Sequence, residues 1–394
     1  MSAAVTPKGA DELTVAISGM SVAGTLAPKL PVVRALRGEP EFRGRLVGFS
    51  YDPLDPPNYD GELLAHSFLF PFPMYGPERL LARLTQVHAR VPLDAIIPTL
   101  DSELGNYIQI EPQLRALGIR VILPSAEAFD LRSKVELPAV AKRTRLRVPH
   151  SRPAASLAEA LRVSQEFTYP FVVKGNLHGA TVVHSGAQLA PAVEEHASRW
   201  GFPVVLQEYI HGVKYDVAAL NNQDGRMLGA VPMKKLQLDD RGKAWGAITV
   251  DDPELVAAAR SVVHGLRWAG PIELELMRQE GTEEPYLIEL NPRFPAWIHL
   301  AAAAGQNLPW SLLRLLRGEA VAPFTRYKAN VMQLRRCIDV TCSLGVYEQL
   351  VTRGEVDLGS LPAELIEPYW VESSTALLPP PQARRPRAGR TAAR

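Results

Sequence analysis

Cysteine is nearly absent from this chain: two in 394 residues, Cys337 and Cys342. That excludes a disulfide framework and a zinc site built from cysteines. Both are read as reduced thiols without a chemical role. A surplus of either charge is missing as well. Lys and Arg total 43 against 42 Asp and Glu, so no global field draws nucleic acid or an anionic membrane. Any anion binding must come from a local cluster. No uninterrupted apolar run reaches the ~18 residues of a membrane helix, and the opening MSAAVTPKGADEL has no apolar signal core. The expectation is a cytoplasmic protein with no membrane contact. What is present is an ordinary foldable balance, 46% hydrophobic and 22% charged residues, over a length that suits two or three domains.

Strand-like and helix-like segments alternate over the first ~125 residues. Leu13–Ser18, Arg45–Phe49, Asp94–Pro98 and Ile119–Leu123 read as four strands, with helices through Val32–Leu36 and Leu80–Val91. This texture implies a parallel sheet with helices on its faces. Ligands of such sheets gather at the carboxyl ends of the strands, which marks Ser18–Gly24 and Pro98–Glu103 as a functional edge. From about Pro149 the texture becomes α+β. A helix over Ser156–Phe167 leads into the strand Pro170–Lys174 and the turn GNLHG. A helix ending near Trp200 and the strand Val204–Glu208 follow. Short strands near Val217, Val231 and Ile248, a helix over Pro253–Arg267, and paired strands at Ile272–Met277 and Tyr286–Leu290 complete it. The last residues, PPPQARRPRAGRTAAR, hold five arginines and no acid, and such a composition should not pack.

The chemistry is concentrated in GPIELELM and YLIELNPR. Alternate strand side chains share a face, so Glu273 and Glu275 point one way and Glu289 and Asn291 do the same on the next strand. Carboxylates and an amide oxygen converging from two neighbouring strands suit Mg²⁺, which keeps its other positions for phosphate oxygens and water. Arg293 follows directly and could meet charge developing on a transferring group. The bland alternative, an exposed hairpin with solvated acids, explains poorly why acids interrupt such apolar strands. Lys174 ends its strand at a Gly-bounded turn, where lysine and backbone N–H groups could meet phosphate; taken alone this is weak, because strands often end in lysine. Lys134, Lys214 and Lys234 are no stronger singly, and His178 reads as an ordinary loop residue. Gly19–Gly24 is not a P-loop, because no Gly-Lys-Ser/Thr follows it.

Together these segments resemble the ATP-grasp superfamily, in its carbamoyl-phosphate-synthase-like branch, from about Leu13 to Glu319. The motifs are IIPTLDSEL, YPFVVKG, VVLQEYIHG, GAITVDDPEL, GPIELELM and YLIELNPRFP, with AAGQNLPWSLLRLLRGE after it. The resemblance implies a pre-ATP-grasp α/β domain over residues 1–125 and an ATP-grasp module over 126–325. The module would divide into a lid at about 150–210 and a metal-binding lobe at about 211–325. An extension of unknown role over 326–378 and a basic tail over 379–394 remain. The fold class implied is α/β and α+β, a parallel-sheet domain followed by a two-lobed ATP-grasp fold. It further implies Lys134 and Lys174 on the phosphates of ATP, Gln207, Glu208, Tyr209 and Ile210 lining the adenine, Asp216 near the ribose and Lys234 near the phosphates. Glu275, Glu289 and Asn291 would hold Mg²⁺ or Mn²⁺, and Arg293 would serve the reacting centre. Two departures stand out: the lid turn GNLHGATVV lacks a Gly-rich run, and Pro138 falls just after Lys134, where it kinks or begins a helix.

The activity implied is an ATP-dependent carboxylate–amine ligation through an acyl-phosphate, with small-molecule acid and amine substrates and a homo-oligomer left open. Carboxylation, formyl-phosphate chemistry and a non-catalytic nucleotide-binding protein are the alternatives.

Overall fold

The computed structural model describes residues 13–20, 29–176, 179–238, 244–282, 284–335 and 340–361. The expected turn beyond Met20, His178, Cys337 and everything from residue 362, the basic tail included, lie outside the described residues.

The N-terminal unit is built from β1 (Thr14–Ile17), α1 (Lys29–Arg37), β2 (Arg45–Ser50), β3 (His66–Leu69), α2 (Pro77–Arg90), β4 (Ala95–Ile97) and α3 (Asp101–Ala116). Strands β1 to β4 pair in parallel in the order β3-β2-β1-β4. All four residues of β1 are buried, as expected for a strand covered on both faces. One face packs against α2 and α3 around Phe49, Phe68, Tyr107 and Leu114. Two strand assignments differ from the sequence reading. His66–Leu69 was not foreseen, being only four residues with Pro71 and Pro73 close after it. Ile119–Leu123 is not a strand: only Arg120 bridges to Ala95, and the chain then leaves through Pro124, too soon for a second pair.

A short connector, α4 (Ala126–Asp130) and α5 (Leu137–Thr144), leads to a small α+β unit at the place where the sequence resemblance implies a lid. Pro138 stands in the first turn of α5, so it begins that helix rather than kinking it. The lid comprises β5 (Ser151–Ala154), α6 (Leu157–Val163), β6 (Phe171–Lys174), β7 (Ala180–Val183), α7 (Gly186–Trp200) and β8 (Val204–Glu208). Its four strands form an antiparallel sheet in the order β5-β8-β6-β7 over a core of its own, centred on Phe171, Val173, Leu189 and Leu206.

The large lobe contains β9 (Gly212–Asn221), β10 (Met227–Leu238), β11 (Ala244–Thr249), α8 (Pro253–Leu266), β12 (Gly270–Gln279), β13 (Pro285–Asn291), α9 (Ile298–Ala303), α10 (Leu308–Leu316) and β14 (Met332–Leu334). The strands form one antiparallel sheet, β13-β12-β9-β10-β11-β14. Helix α8 begins with Pro253 after the N-cap Asp252, whose carboxylate accepts from Leu255 N at 3.2 Å, a strong start signal. At α10 the N-cap Asn307 accepts from Trp310 N at 3.1 Å and donates to the Ala35 carbonyl of α1 at 2.8 Å. That asparagine therefore caps one helix and binds it to the N-terminal unit. The two units share a core that runs from Val15 and Leu36 to Leu220, Phe294 and Leu312, so they are packed as one body, while the lid keeps a core of its own.

The chain then returns to the N-terminal sheet. After α11 (Leu344–Arg353), β15 (Glu355–Asp357) pairs antiparallel with β3, and Arg83 Nη2 donates to the Gly354 carbonyl at 2.8 Å. Leu350, Val356 and Leu358 enter the shared core. Up to residue 361 the extension thus covers a sheet edge. Among the described residues no helix is long and apolar enough to cross a membrane.

Candidate functional site

Register builds the site. On adjacent strands Glu275 of β12 lies directly opposite Glu289 of β13, and Glu273 opposite Asn291. A bulge at Ile288 separates these pairs from the regular ladder beyond, a device common beside active sites. On the other side Glu275 pairs with Asp216 of β9, which in turn pairs with Met233 of β10. One row across the sheet therefore carries three acids, and like charges directly opposite repel.

Cations answer them. Lys235 Nζ lies 3.0 Å from Asp216 Oδ2 and 3.5 Å from Glu275 Oε2, with its side chain only 6% exposed. Lys134 Nζ stands 3.7 Å from Glu289 Oε1. Burial alone would raise the Glu275 carboxyl, but the charges of Lys235, Lys174 and Arg293 overcome it and hold it at about 2. Asp216 goes the other way: burial pushes it well above the usual carboxylate range, Lys235 offsets this only in part, and Glu275 and Glu273 add to it. Lys174, almost fully buried, is brought down to about 8, chiefly by loss of solvent, with Glu289 opposing and Lys134 assisting.

Glu273 has a different part. Its carboxylate accepts from Arg293 Nη1 at 2.6 Å, Trp297 Nε1 at 2.8 Å and Asn291 Nδ2 at 3.2 Å, so it is saturated and has little left for a metal. Arg293 also lies 3.4 Å from Asp101 Oδ1 at the start of α3, bridging the large lobe to the carboxyl edge of the N-terminal sheet. At that edge Glu103 is buried and accepts from Ser18 Oγ at 2.5 Å, Thr99 N at 2.9 Å and Leu100 N at 3.0 Å, and from the Tyr51 hydroxyl. This carboxylate joins the ends of β1, β2 and β4 to α3, so the expected functional edge is a hydrogen-bonded platform.

The donor set fits a hard cation. Asn291 turns its Nδ2 towards Glu273 and Glu275, so these bonds do not use its amide oxygen, and Asn291 and Glu289 both line a cavity of about 60 Å³. Two carboxylates and one amide oxygen do not complete a site: among the described residues no three His, Cys, Asp or Glu are gathered to hold an ion. They match a metal that takes its remaining ligands from phosphate and water.

Several expected residues sit differently. Lys234 pairs with Tyr215 and Ile248, one residue out of step with the acid row, so strand alternation turns it to the opposite face; Lys235 occupies the acid face instead. Asp216 is buried among Lys235 and Glu275, 3% exposed, and not on an open wall where a ribose could reach it. Gln207 Nε2 donates to Ser151 Oγ at 2.9 Å inside the lid, and Glu208 is tied to His150 N at 3.1 Å. Of that segment, Tyr209 and Ile210 form the backbone link between β8 and β9. In the lid turn Gly175 N already donates to Gly179 O at 3.3 Å, so it is not free for phosphate, whereas Asn176 faces the cavity. Lys235 was adjacent to an expected lysine, and the register alone distinguishes the two. Glu103 and Asp101 lay inside a quoted motif without a sign of their partners.

Comparisons with known proteins bear on the family and the fold. Residues 202–337 match a family model described as ATP-grasp in the biosynthetic pathway with Ter operon. The chain is 25% identical over 287 residues to the carbamoyl phosphate synthase large chain of Hyperthermus butylicus, covering 65% of this chain and 25% of that protein. It is 24% identical over 240 residues to the phosphoribosylamine–glycine ligase of Helicobacter pylori, covering 54% of each. It thus spans a quarter to about half the length of these curated relatives. Among solved structures, biotin carboxylase from Campylobacter jejuni superposes with a TM-score of 0.63 at 17% identity, over 82% of this chain and 75% of that one. An L-amino acid ligase from Bacillus licheniformis gives 0.60 at 17% identity, over 79% and 78%.

Proposed function

We propose that this chain, a member of the ATP-grasp superfamily, is an ATP-dependent ligase that joins a small carboxylate to an amine through an acyl-phosphate, releasing ADP and phosphate. The observation that carries the reading is the Glu275–Glu289 pair, directly opposite on adjacent strands, with Asn291 beside them and Lys134, Lys174 and Lys235 around them. Acids in that density favour binding a cation; lysines around them favour a polyanion. A magnesium or manganese ion held by Glu275, Glu289 and the Asn291 oxygen would supply the neutralisation that lets one anion approach another.

The chain's own groups do the rest. Lys134 and Lys174 face the same acids from the connector and the lid and take phosphate oxygens. The backbone at Tyr209–Ile210, where lid meets lobe, borders the nucleotide base. Asp216 and Lys235 form a buried brace that fixes Glu275 in place. Arg293, clamped between Glu273 and Asp101, fixes Glu273 and with it Asn291. In the transfer, the bond from the γ-phosphorus to the ADP oxygen breaks and one to a carboxylate oxygen forms; an amine then displaces phosphate. The lid, with its separate core, can close over the site and exclude water from the acyl-phosphate. That amino acids or short peptides are the substrates, as the ligase from Bacillus licheniformis suggests by its name, belongs to this proposal. The test is ADP release screened against amino acids and small peptides in pairs, with the product identified by mass spectrometry. A mass gain matching an amide is the expected result. ADP release with bicarbonate and no amine product would instead establish the carboxylation reading.

A further inference from the structure

Two arginines stand near Glu289 and Asn291, and their states differ. Arg293 is already neutralised by Glu273 and Asp101. Arg132, in the link between α4 and the Lys134 turn, lines the cavity opposite Glu289 and Asn291. Its guanidinium carbon lies 4.0 Å from the centre of the Phe129 ring, a stack that holds the planar group in one orientation. Its Nε is buried and makes no hydrogen bond, and among the described residues it forms no ion pair. The first turn of α3 also reaches the cavity through Asp101 and Ser102. That helix carries Asp101 and Glu103 in its first turn, and the Glu103 carboxylate already takes the Thr99 and Leu100 amides, so the cation that faces the cavity from this side is Arg132.

Resting on the ligase reading above, we infer that Arg132 is the residue that receives the carboxylate of the acid substrate and presents it beside Glu289 and Asn291. A guanidinium carries a rigid fork of donors that matches a carboxylate bidentately. A guanidinium whose Nε is buried without a partner is unfavourable, and an incoming carboxylate would relieve that state. Burial already lowers the basicity of Arg132, with Asp101, Asp130 and Glu289 acting against it from beyond pairing distance. A cavity of about 60 Å³ admits a small anionic head group, and the rest of the acid would extend towards the platform of Ser102 and Glu103. Arg293 then keeps a positioning role behind Glu273, and the substrate contact passes to a residue that no motif marked.

The experiment is calorimetric titration of the full chain loaded with Mg²⁺ and a non-hydrolysable ATP analogue. Acetate, glycine, L-alanine, L-glutamate and succinate are the probes, and acetamide is the uncharged control. Wild type is expected to bind at least one carboxylate and to ignore acetamide. Arg132→Met should bind it about 10- to 100-fold more weakly, the range of a hydrogen bond between charged groups, with nucleotide affinity within about twofold. Arg132→Lys should recover part of the loss; it also replaces the Met variant if that fails to fold. Equal carboxylate affinity in wild type and Arg132→Met, or no carboxylate binding to wild type, would overturn the inference. A nucleotide loss as large as the carboxylate loss would overturn it too, assigning Arg132 to the phosphates. Failure of wild type to bind the nucleotide at all is a separate result, which sinks the ligase reading and this inference with it.

Discussion

Nucleotide affinity should depend on the protonation of Lys174. Its ammonium is buried and its pKa is brought down to about 8 from the ordinary 10.5, a preference against charge of roughly 3 kcal/mol at 1.36 kcal/mol per unit. A triphosphate placed beside it reverses that preference and raises the pKa in the complex. Binding near pH 8 should therefore take up roughly half a proton, and above pH 8 affinity should fall towards tenfold per pH unit. The same shift has a sign for stability. Between pH 8 and 10.5 the unfolded chain holds more protons than the folded one, so the lysine's contribution to folding becomes more favourable as pH rises through that window and is least favourable below 8. Titration calorimetry in buffers of differing ionisation enthalpy, at fixed Mg²⁺, counts the protons directly. Lys174→Arg, whose guanidinium stays charged throughout, should abolish both the uptake and the decline. Constant wild-type affinity from pH 7 to 9.5, with uptake below about 0.1 proton, would refute the argument.

Lys235→Met should be more damaging to the fold than its position on an exposed-looking strand suggests. It leaves buried Asp216 without its partner and partly exposed Glu275 without a neighbouring cation, a loss of about 3–5 kcal/mol that falls chiefly on Asp216, and Asp216→Asn added to it should restore much of the melting temperature; no recovery would show that the pair is not the cause. Glu289→Gln should abolish ADP formation while leaving the melting temperature unchanged or higher, since it removes one of two carboxylates placed face to face; near-wild-type turnover would remove Glu289 from the site. Arg293→Ala should melt lower than Arg293→Lys, because the guanidinium balances Glu273 and Asp101, and equal melting would contradict the bridge. Leu350→Ala should cost about 2–5 kcal/mol, as a fully buried residue of the shared core does, and a neutral result in thermal unfolding would deny the extension its structural part.

What the sequence determined by itself is local and periodic. A buried strand such as Thr14–Ile17, a helix opened by Asp252-Pro253, and acids spaced two apart in β12 and β13 all follow from side-chain type and spacing. These were enough to select the α/β and α+β layout and to bring Glu275, Glu289 and Asn291 onto one sheet face. Short elements with little pattern, His66–Leu69 and Glu355–Asp357, were not legible, because their partners supply the stability that their own residues do not.

Tertiary structure decided everything that depends on register and on distant neighbours. Lys234 and Lys235 are chemically equivalent in the sequence, and only the pairing of β10 with β9 sets one among the acids and the other on the reverse face. The resemblance put Asp216 near the ribose, but burial and Lys235 claim it. Arg293 looked free until Asp101, 192 positions earlier in the chain, met it across the join between two units. Arg132 carried no sign at all, because an unpaired cation is defined by what the folded chain leaves out of its reach. Charge complementarity among residues far apart in sequence exists only once the sheets are stacked, and that is why the ends of the strands could be read in advance but their partners could not.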